Sequence, residues 1–241
     1  MQTNDNLKFM LCGDSISRGV IYDEIKKKYV ILEENFVSIL QQSINGIVFN
    51  SARFGNTILK AIGRLPQDLE KNNPDVVLIE FGGNDCDFNW ENIADNPEGI
   101  HLPNTDYNIF QDKLKETISG LNSRGVIPVL LTIPPIDADR YFNWVSKNNI
   151  TSAERILRWL GSVSKIYWWQ ERYNSAILSI AQVTKTRWID IRSAFLSYPD
   201  FTKFLCADGI HPNRLGHELI ADKIMEYIKT NYKYLIKNEL I

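Results

Sequence analysis

Gly13-Asp14-Ser15 near the start of a 241-residue chain and Asp208-Gly209-Ile210-His211 near its end carry the residue types that nucleophilic acyl chemistry requires. Hydrolysis of an acyl bond by serine needs a hydroxyl, an imidazole to take its proton, a carboxylate to fix the imidazole tautomer, and donors for the oxyanion. Asp208 and His211 stand three residues apart, close enough on a turn for the carboxylate to reach one ring nitrogen while the other faces Ser15. Two further stretches supply donors: residues 50–57, which contain Gly55, and Gly82-Gly83-Asn84-Asp85. The backbone amides of Ser15 and Gly55 and the side-chain amide of Asn84 would direct three donors at one oxygen. Glycine at position 55 would let the main chain approach a substrate with no side chain in the way. Taken singly, each piece has an ordinary reading. Gly-Asp-Ser is a favoured turn sequence, Asp85 is suited to capping a turn, and a lone histidine is more often a hydrogen-bonded core or surface residue than a base. The combination points to chemistry.

These residues need a scaffold that gathers distant loops. Five short apolar runs rich in branched residues, at 7–12, 47–50, 76–81, 127–133 and 188–191, read as buried strands. Between them, apolar residues recur every three or four positions: Ile58, Ile62, Leu65, Leu69; Phe110, Leu114, Ile118, Leu121; Ile166, Trp169, Tyr173, Ile177, Ile180. Ile220, Ile224 and Ile228 follow the last run in the same way. Each set makes one helical stripe. Strands alternating with helices predict an α/β fold with a parallel sheet covered on both faces. Ligands of such sheets bind outside the carboxyl ends of the strands, which is where all four candidate segments fall.

Two stretches break the alternation. Residues 21–32, with Lys26 to Lys28 in the middle, read as a hairpin inserted after the first strand. Residues 134–164 are too long for an ordinary loop and read as an insertion near the active-site end, with Thr151 and Glu154 forming a capping box for a short helix. No repeat or composition shift marks a boundary, so residues 1–241 are expected to form a single domain.

Composition narrows the partners. With 27 basic and 29 acidic side chains and a formal charge of -2, the chain lacks the uncompensated cations that nucleic-acid binding requires. No apolar stretch approaches a membrane span, and the first six residues lack the features of a signal peptide, so a cytoplasmic location is expected. Cys12, Cys86 and Cys206 are far apart and form no Cys-x-x-Cys pair, which reads as buried thiols rather than a disulfide or metal site. The Asn149-Ile150-Thr151 sequon has no meaning without secretion.

At Gly13-Asp14-Ser15, Gly55, Gly82-x-Asn84-Asp85 and Asp208-x-x-His211 the sequence resembles the SGNH or GDSL hydrolase family, and the blocks run from residue 13 to residue 213. The resemblance implies Ser15 as nucleophile, His211 as general base, Asp208 as its orienting partner, and Ser15, Gly55 and Asn84 as the oxyanion hole. It also implies a flavodoxin-like three-layer α/β/α fold with strand order 2-1-3-4-5. The family's first block commonly continues with Leu; Ile16 stands here, a change that leaves the hydroxyl untouched. No metal or organic cofactor is needed by this chemistry.

Other classes fit less well. An α/β-hydrolase elbow, Gly-x-Ser-x-Gly, is broken by Ser17, and no dinucleotide or Walker-type glycine loop follows any expected strand. His101 lies in a loop, and His217 falls in the first turn of the last helix, as a cap or packing residue. Asp14 and Asp85 are expected to stabilise loop geometry, since a carboxylate beside the oxyanion site would repel its charge. The expected reaction is hydrolysis of a small soluble ester such as an O-acetylated sugar, through an acyl-enzyme. The alternatives are a lysophospholipase or thioesterase acting on longer acyl chains, and a non-catalytic module that binds a small ligand. Trp90, Tyr141, Trp144, Trp159, Trp168 and Trp169 suit a sugar face or an acyl chain, but most are expected to be packing residues.

Overall fold

The computed structural model describes residues 7–237. The first six residues, with the expectation drawn from them, lie outside this range. The elements run β1 (Lys8–Gly13), α1 (Ser15–Arg18), β2 (Val20–Asp23), β3 (Lys28–Ile31), α2 (Phe36–Ser43), β4 (Ile47–Asn50), α3 (Ile58–Ile62) and α4 (Leu65–Asn72). They continue with β5 (Val76–Glu80), α5 (Trp90–Asp95), α6 (Tyr107–Ser123), β6 (Ile127–Leu131), α7 (Ala138–Val145) and α8 (Ile150–Leu160). The last are α9 (Ser164–Thr184), β7 (Arg187–Ile189), α10 (Ile191–Leu196) and α11 (Arg214–Asn231).

Five strands pair in parallel in the order β4-β1-β5-β6-β7. Counted along the chain, that is the 2-1-3-4-5 arrangement. Each agrees with an apolar run to within two residues; the central strands β1, β5 and β6 are buried on both faces, which leaves no room for polar alternation. The side-chain period of two splits β1 between two cores. Phe9 and Leu11 join Phe36, Leu40, Ile220, Ile224 and Ile228 under α2 and α11, while Met10 and Cys12 join Ile58, Phe110, Leu114, Tyr173 and Ile177 under α3, α6 and α9. The result is a three-layer α/β/α sandwich. Among the described residues, no helix is long and apolar enough to cross a membrane.

Both irregular stretches take up structure. β2 and β3 form the antiparallel hairpin. Residues 134–164 supply α7 and α8, which with α5 close a third apolar cluster built on Phe88, Trp90, Ile93, Ile136, Tyr141, Ile156 and Leu160. The expected capping box is corrected here. Helix α8 begins two residues earlier, with Asn149 as its N-cap accepting from the Ser152 amide, so Thr151 and Glu154 lie inside the helix. Asparagine is as good a cap as threonine, and the earlier start extends the helix.

Candidate active site

The loops that leave β1, β4, β5 and β7 converge at one end of the sheet. Ser15 is the first residue of α1, and Asp14 caps that helix by accepting the Ile16 amide at 2.9 Å. This turn lifts the Ser15 hydroxyl out of the sheet. At the far end of the chain, Asp208 Oδ1 accepts the backbone amides of Ile210 and His211, each at 3.1 Å, which fixes the loop around its carboxylate. Asp208 Oδ2 lies 2.6 Å from His211 Nδ1, and His211 Nε2 lies 2.9 Å from Ser15 Oγ. Residues 196 positions apart are thus joined by one imidazole.

Burial pushes the Asp208 carboxyl up, but the hydrogen bonds and charge of His211 outweigh it, and the group is held below its ordinary range. An ionised Asp208 on Nδ1 fixes the tautomer that leaves Nε2 free to take the hydroxyl proton.

The candidate oxyanion donors are held by their own loops. Asn84 Nδ2 donates to Asp14 Oδ2 at 2.9 Å, which uses one of its two N–H groups. Gly55 has φ +65, a left-handed conformation that favours glycine, and a Cβ there would meet nothing within 4 Å. Its loop is tied to the Ser15 turn, since Arg53 N and Asn56 Nδ2 both donate to Gly13 O, at 3.2 and 3.1 Å. Asp85 acts as a loop brace, as its position suggested: its carboxylate accepts from the amides of Ile58 and Gly82 and from the Thr105 hydroxyl.

Sequence reasoning missed the rings around the imidazole. Tyr29, on β3, lies 5.1 Å from the His211 ring, and Phe54, itself 5.5 Å from Tyr29, stacks on the imidazole at 6.3 Å with 8° between planes. Trp144 of α7 packs on Tyr22 and Tyr29, so hairpin and insertion meet beside the base. No motif marks these positions; the only signal was an aromatic pair in a hairpin adjoining a candidate loop.

A cavity of about 620 Å³ opens from Ser15, Asn84 and His211. Its lining is rich in aromatic rings, with Phe88, Trp90, Trp159, Trp168 and Trp169, and also includes the polar Asp106, Asn108, Lys165 and Arg172. The tryptophans therefore line space as well as pack. Asp87 underpins this wall, accepting from Tyr141 Oη at 2.7 Å and Trp90 Nε1 at 2.8 Å. His101 also lines the cavity, whereas His217 is buried against Phe36, away from it. The three cysteines are free and buried.

The insertion is locked to the base loop through Gly209, whose carbonyl accepts the Asp137 amide at 2.8 Å. A Cβ on Gly209 would stand 2.7 Å from Asp137 O and 2.8 Å from Arg140 Cβ, and its φ is +77.

Residues 11–219 match the model of the GDSL-like lipase/acylhydrolase family. A GDSL esterase/lipase of Arabidopsis thaliana is 25% identical over 158 residues, 65% of this chain and 55% of that protein. An arylesterase of Vibrio mimicus is 36% identical over 78 residues, 32% of this chain and 38% of that protein. The matches thus span about half or less of these relatives' lengths. Among solved structures, a lipase/acylhydrolase from Enterococcus faecalis aligns with 97% of this chain and 99% of its own at 23% identity and a TM-score of 0.66. A catalytic mutant of an acetylxylan esterase from Geobacillus stearothermophilus aligns over 99% and 100% at 18% identity and a TM-score of 0.67. At these identities the likeness is one of fold.

Proposed function

This chain belongs to the GDSL-like lipase/acylhydrolase family, and from that premise we propose that it hydrolyses carboxylic esters with Ser15 as nucleophile. The observation that carries the reading is the His211 ring, 2.9 Å from the Ser15 hydroxyl and 2.6 Å from the Asp208 carboxylate. His211 takes the hydroxyl proton as Ser15 attacks the ester carbonyl, and Asp208 stabilises the imidazolium. The oxyanion is met by the amides of Ser15 and Gly55 and by the Asn84 N–H not used by Asp14. The leaving alcohol takes the proton from His211. Water, activated by the same ring, then releases the acid from the acyl-enzyme. A neutral imidazole is required, so activity falls on acidification.

The cavity guides the choice of substrate. An acyl group as small as acetyl occupies only a small part of about 620 Å³, so the remaining space holds a larger moiety. Indole and phenyl faces together with polar groups fit a ring-bearing alcohol, such as an O-acetylated sugar or an aryl ester. That class agrees with the names of the acetylxylan esterases that share the fold and of the arylesterase relative. Hydrolysis of an ester panel that varies acyl length and alcohol separately tests the reading. The expected result is a preference set by the alcohol, with Ser15→Ala inactive; equal rates for Ser15→Ala and the unaltered protein would remove the esterase reading. The apolar wall supports a second reading, longer acyl chains, which a preference set by acyl length alone would favour.

A further inference from the structure

Behind the Ser15 turn lies a pair of carboxyl groups that ester hydrolysis does not use directly. Glu80 ends β5, in register with Gly13 of β1, and this places it beneath the turn. Glu80 and Asp14 are each only 2% exposed. Glu80 Oε2 accepts the Ser17 hydroxyl at 2.9 Å and, more weakly, the Asp14 amide at 3.4 Å. Its other oxygen, Oε1, is fully buried, and no described residue donates to it. Among the described residues, neither carboxyl group has a Lys, Arg or His nitrogen within ion-pair distance.

The two acids nevertheless meet under the turn: the Asp14 amide lies 3.4 Å from Glu80 Oε2, and the charge of Asp14 disfavours a charge on Glu80. Two carboxylates only accept, so neither anion could satisfy the other, and one proton on the pair removes the repulsion. The remaining partners decide which group carries it. Both oxygens of Asp14 already have donors, Ile16 N on Oδ1 and Asn84 Nδ2 on Oδ2, each at 2.9 Å. Glu80 Oε1 has none, and a bare buried carboxylate oxygen is costly.

We propose that Glu80 is a positioning residue that keeps its proton at neutral pH: the neutral acid anchors the Ser15 turn through the Ser17 hydroxyl and the Asp14 amide and leaves Asp14 as the one anion, and Asp14 holds the Asn84 amide with its second N–H aimed at the oxyanion. The last link rests on the esterase reading above; the proton itself does not.

The surroundings agree. Burial, then the charge of Asp14, push the Glu80 carboxyl well above its ordinary range. The titratable groups around the pair are Cys12 on β1, Asp85 beyond β5, His211 in the last loop, and Asp68 of α4 at longer range. Burial pushes the Cys12 thiol up to about 12, so it stays neutral. Asp14 and Asp85 disfavour each other's charge, so negative charge is already crowded here, while the Ile16 and Asn84 hydrogen bonds and the charge of His211 favour the ionised form of Asp14.

Difference infrared spectroscopy of the whole protein against Glu80→Gln provides the test, paired with pH-dependent kinetics. A protonated-acid carbonyl band is expected at pH 7, absent from Glu80→Gln and lost from the unaltered protein at alkaline pH. The unaltered protein should lose kcat at alkaline pH as Glu80 ionises; a carboxamide reproduces the donor and acceptors of the protonated acid, so Glu80→Gln should keep kcat at pH 7 within about threefold and show no such decline. Glu80→Ala should lower kcat by roughly tenfold with KM little changed. Absence of the acid band at pH 7, or an equal loss of kcat in the Gln and Ala variants, would overturn the proposal. If Glu80→Ala does not fold, the infrared comparison still decides, and it does so even if Ser15→Ala shows the esterase reading to be wrong.

Discussion

Two buried acid groups flank Ser15, and they end in opposite states. Asp208 and Glu80 are comparably enclosed, at 0% and 2% exposure, yet Asp208 is held below the ordinary carboxylate range and Glu80 well above it. Burial alone therefore does not set their charge. Asp208 receives two backbone amides and an imidazole N–H, whereas Glu80 receives one hydroxyl and one long amide bond and faces a second carboxyl. The count of donors, set by how each loop is wound, decides which acid serves as an anion and which as a proton holder.

The comparison can be broken most sharply on the Asp208 side. Asp208→Asn keeps the shape but loses the anion that fixes the tautomer, and we expect kcat to fall by about 10⁴; a drop under tenfold in steady-state hydrolysis would put Asp208 on the same footing as Glu80. Next in size, Asn84→Ala should lower kcat by roughly 10² to 10³ as one oxyanion donor is lost, and a loss smaller than threefold would detach the Asp14–Glu80 side from catalysis. Smaller effects belong to stability. Glu80 takes up a proton on folding, so unfolding free energy should decline as pH rises above about 4.3, the ordinary Glu value; Glu80→Gln should flatten that slope in urea titrations at several pH values. His217 gives the opposite sign. Burial lowers its folded value to about 4 from 6.5, so the unfolded chain protonates first and stability should be lost as pH falls between those values. Comparing His217→Phe with the unaltered protein at pH 7 and pH 5 should show that acid loss reduced, and an undiminished loss would assign it elsewhere.

Much of this was legible in the sequence, for identifiable reasons. Strands buried on both faces print as branched apolar runs, so β1 and β5 could be read from 7–12 and 76–81. Gly-Asp-Ser and Asp-x-x-His were readable because their geometry is local to a turn. Glu80 was not singled out, though it carried a signal: it is the one charged residue in the run 76–81, and glutamate is seldom fully buried without a partner. Tyr29 and Phe54 were out of reach, because what makes them matter is their distance to a histidine that lies more than 150 residues later in the chain. The capping box failed because two good caps, Asn149 and Thr151, lie two residues apart, and helix length decided between them.

Gly209 carries a last consequence. It lies between the orienting acid and the base, and α7 rests against its bare backbone, with Asp137 N–H bonded to its carbonyl. The wall that would select the alcohol and the loop that would move the proton are therefore one mechanical part. Transplanting residues 134–164 into a relative to change what it accepts should fail unless the recipient also has glycine at the equivalent place, since any side chain there would wedge recognition apart from turnover.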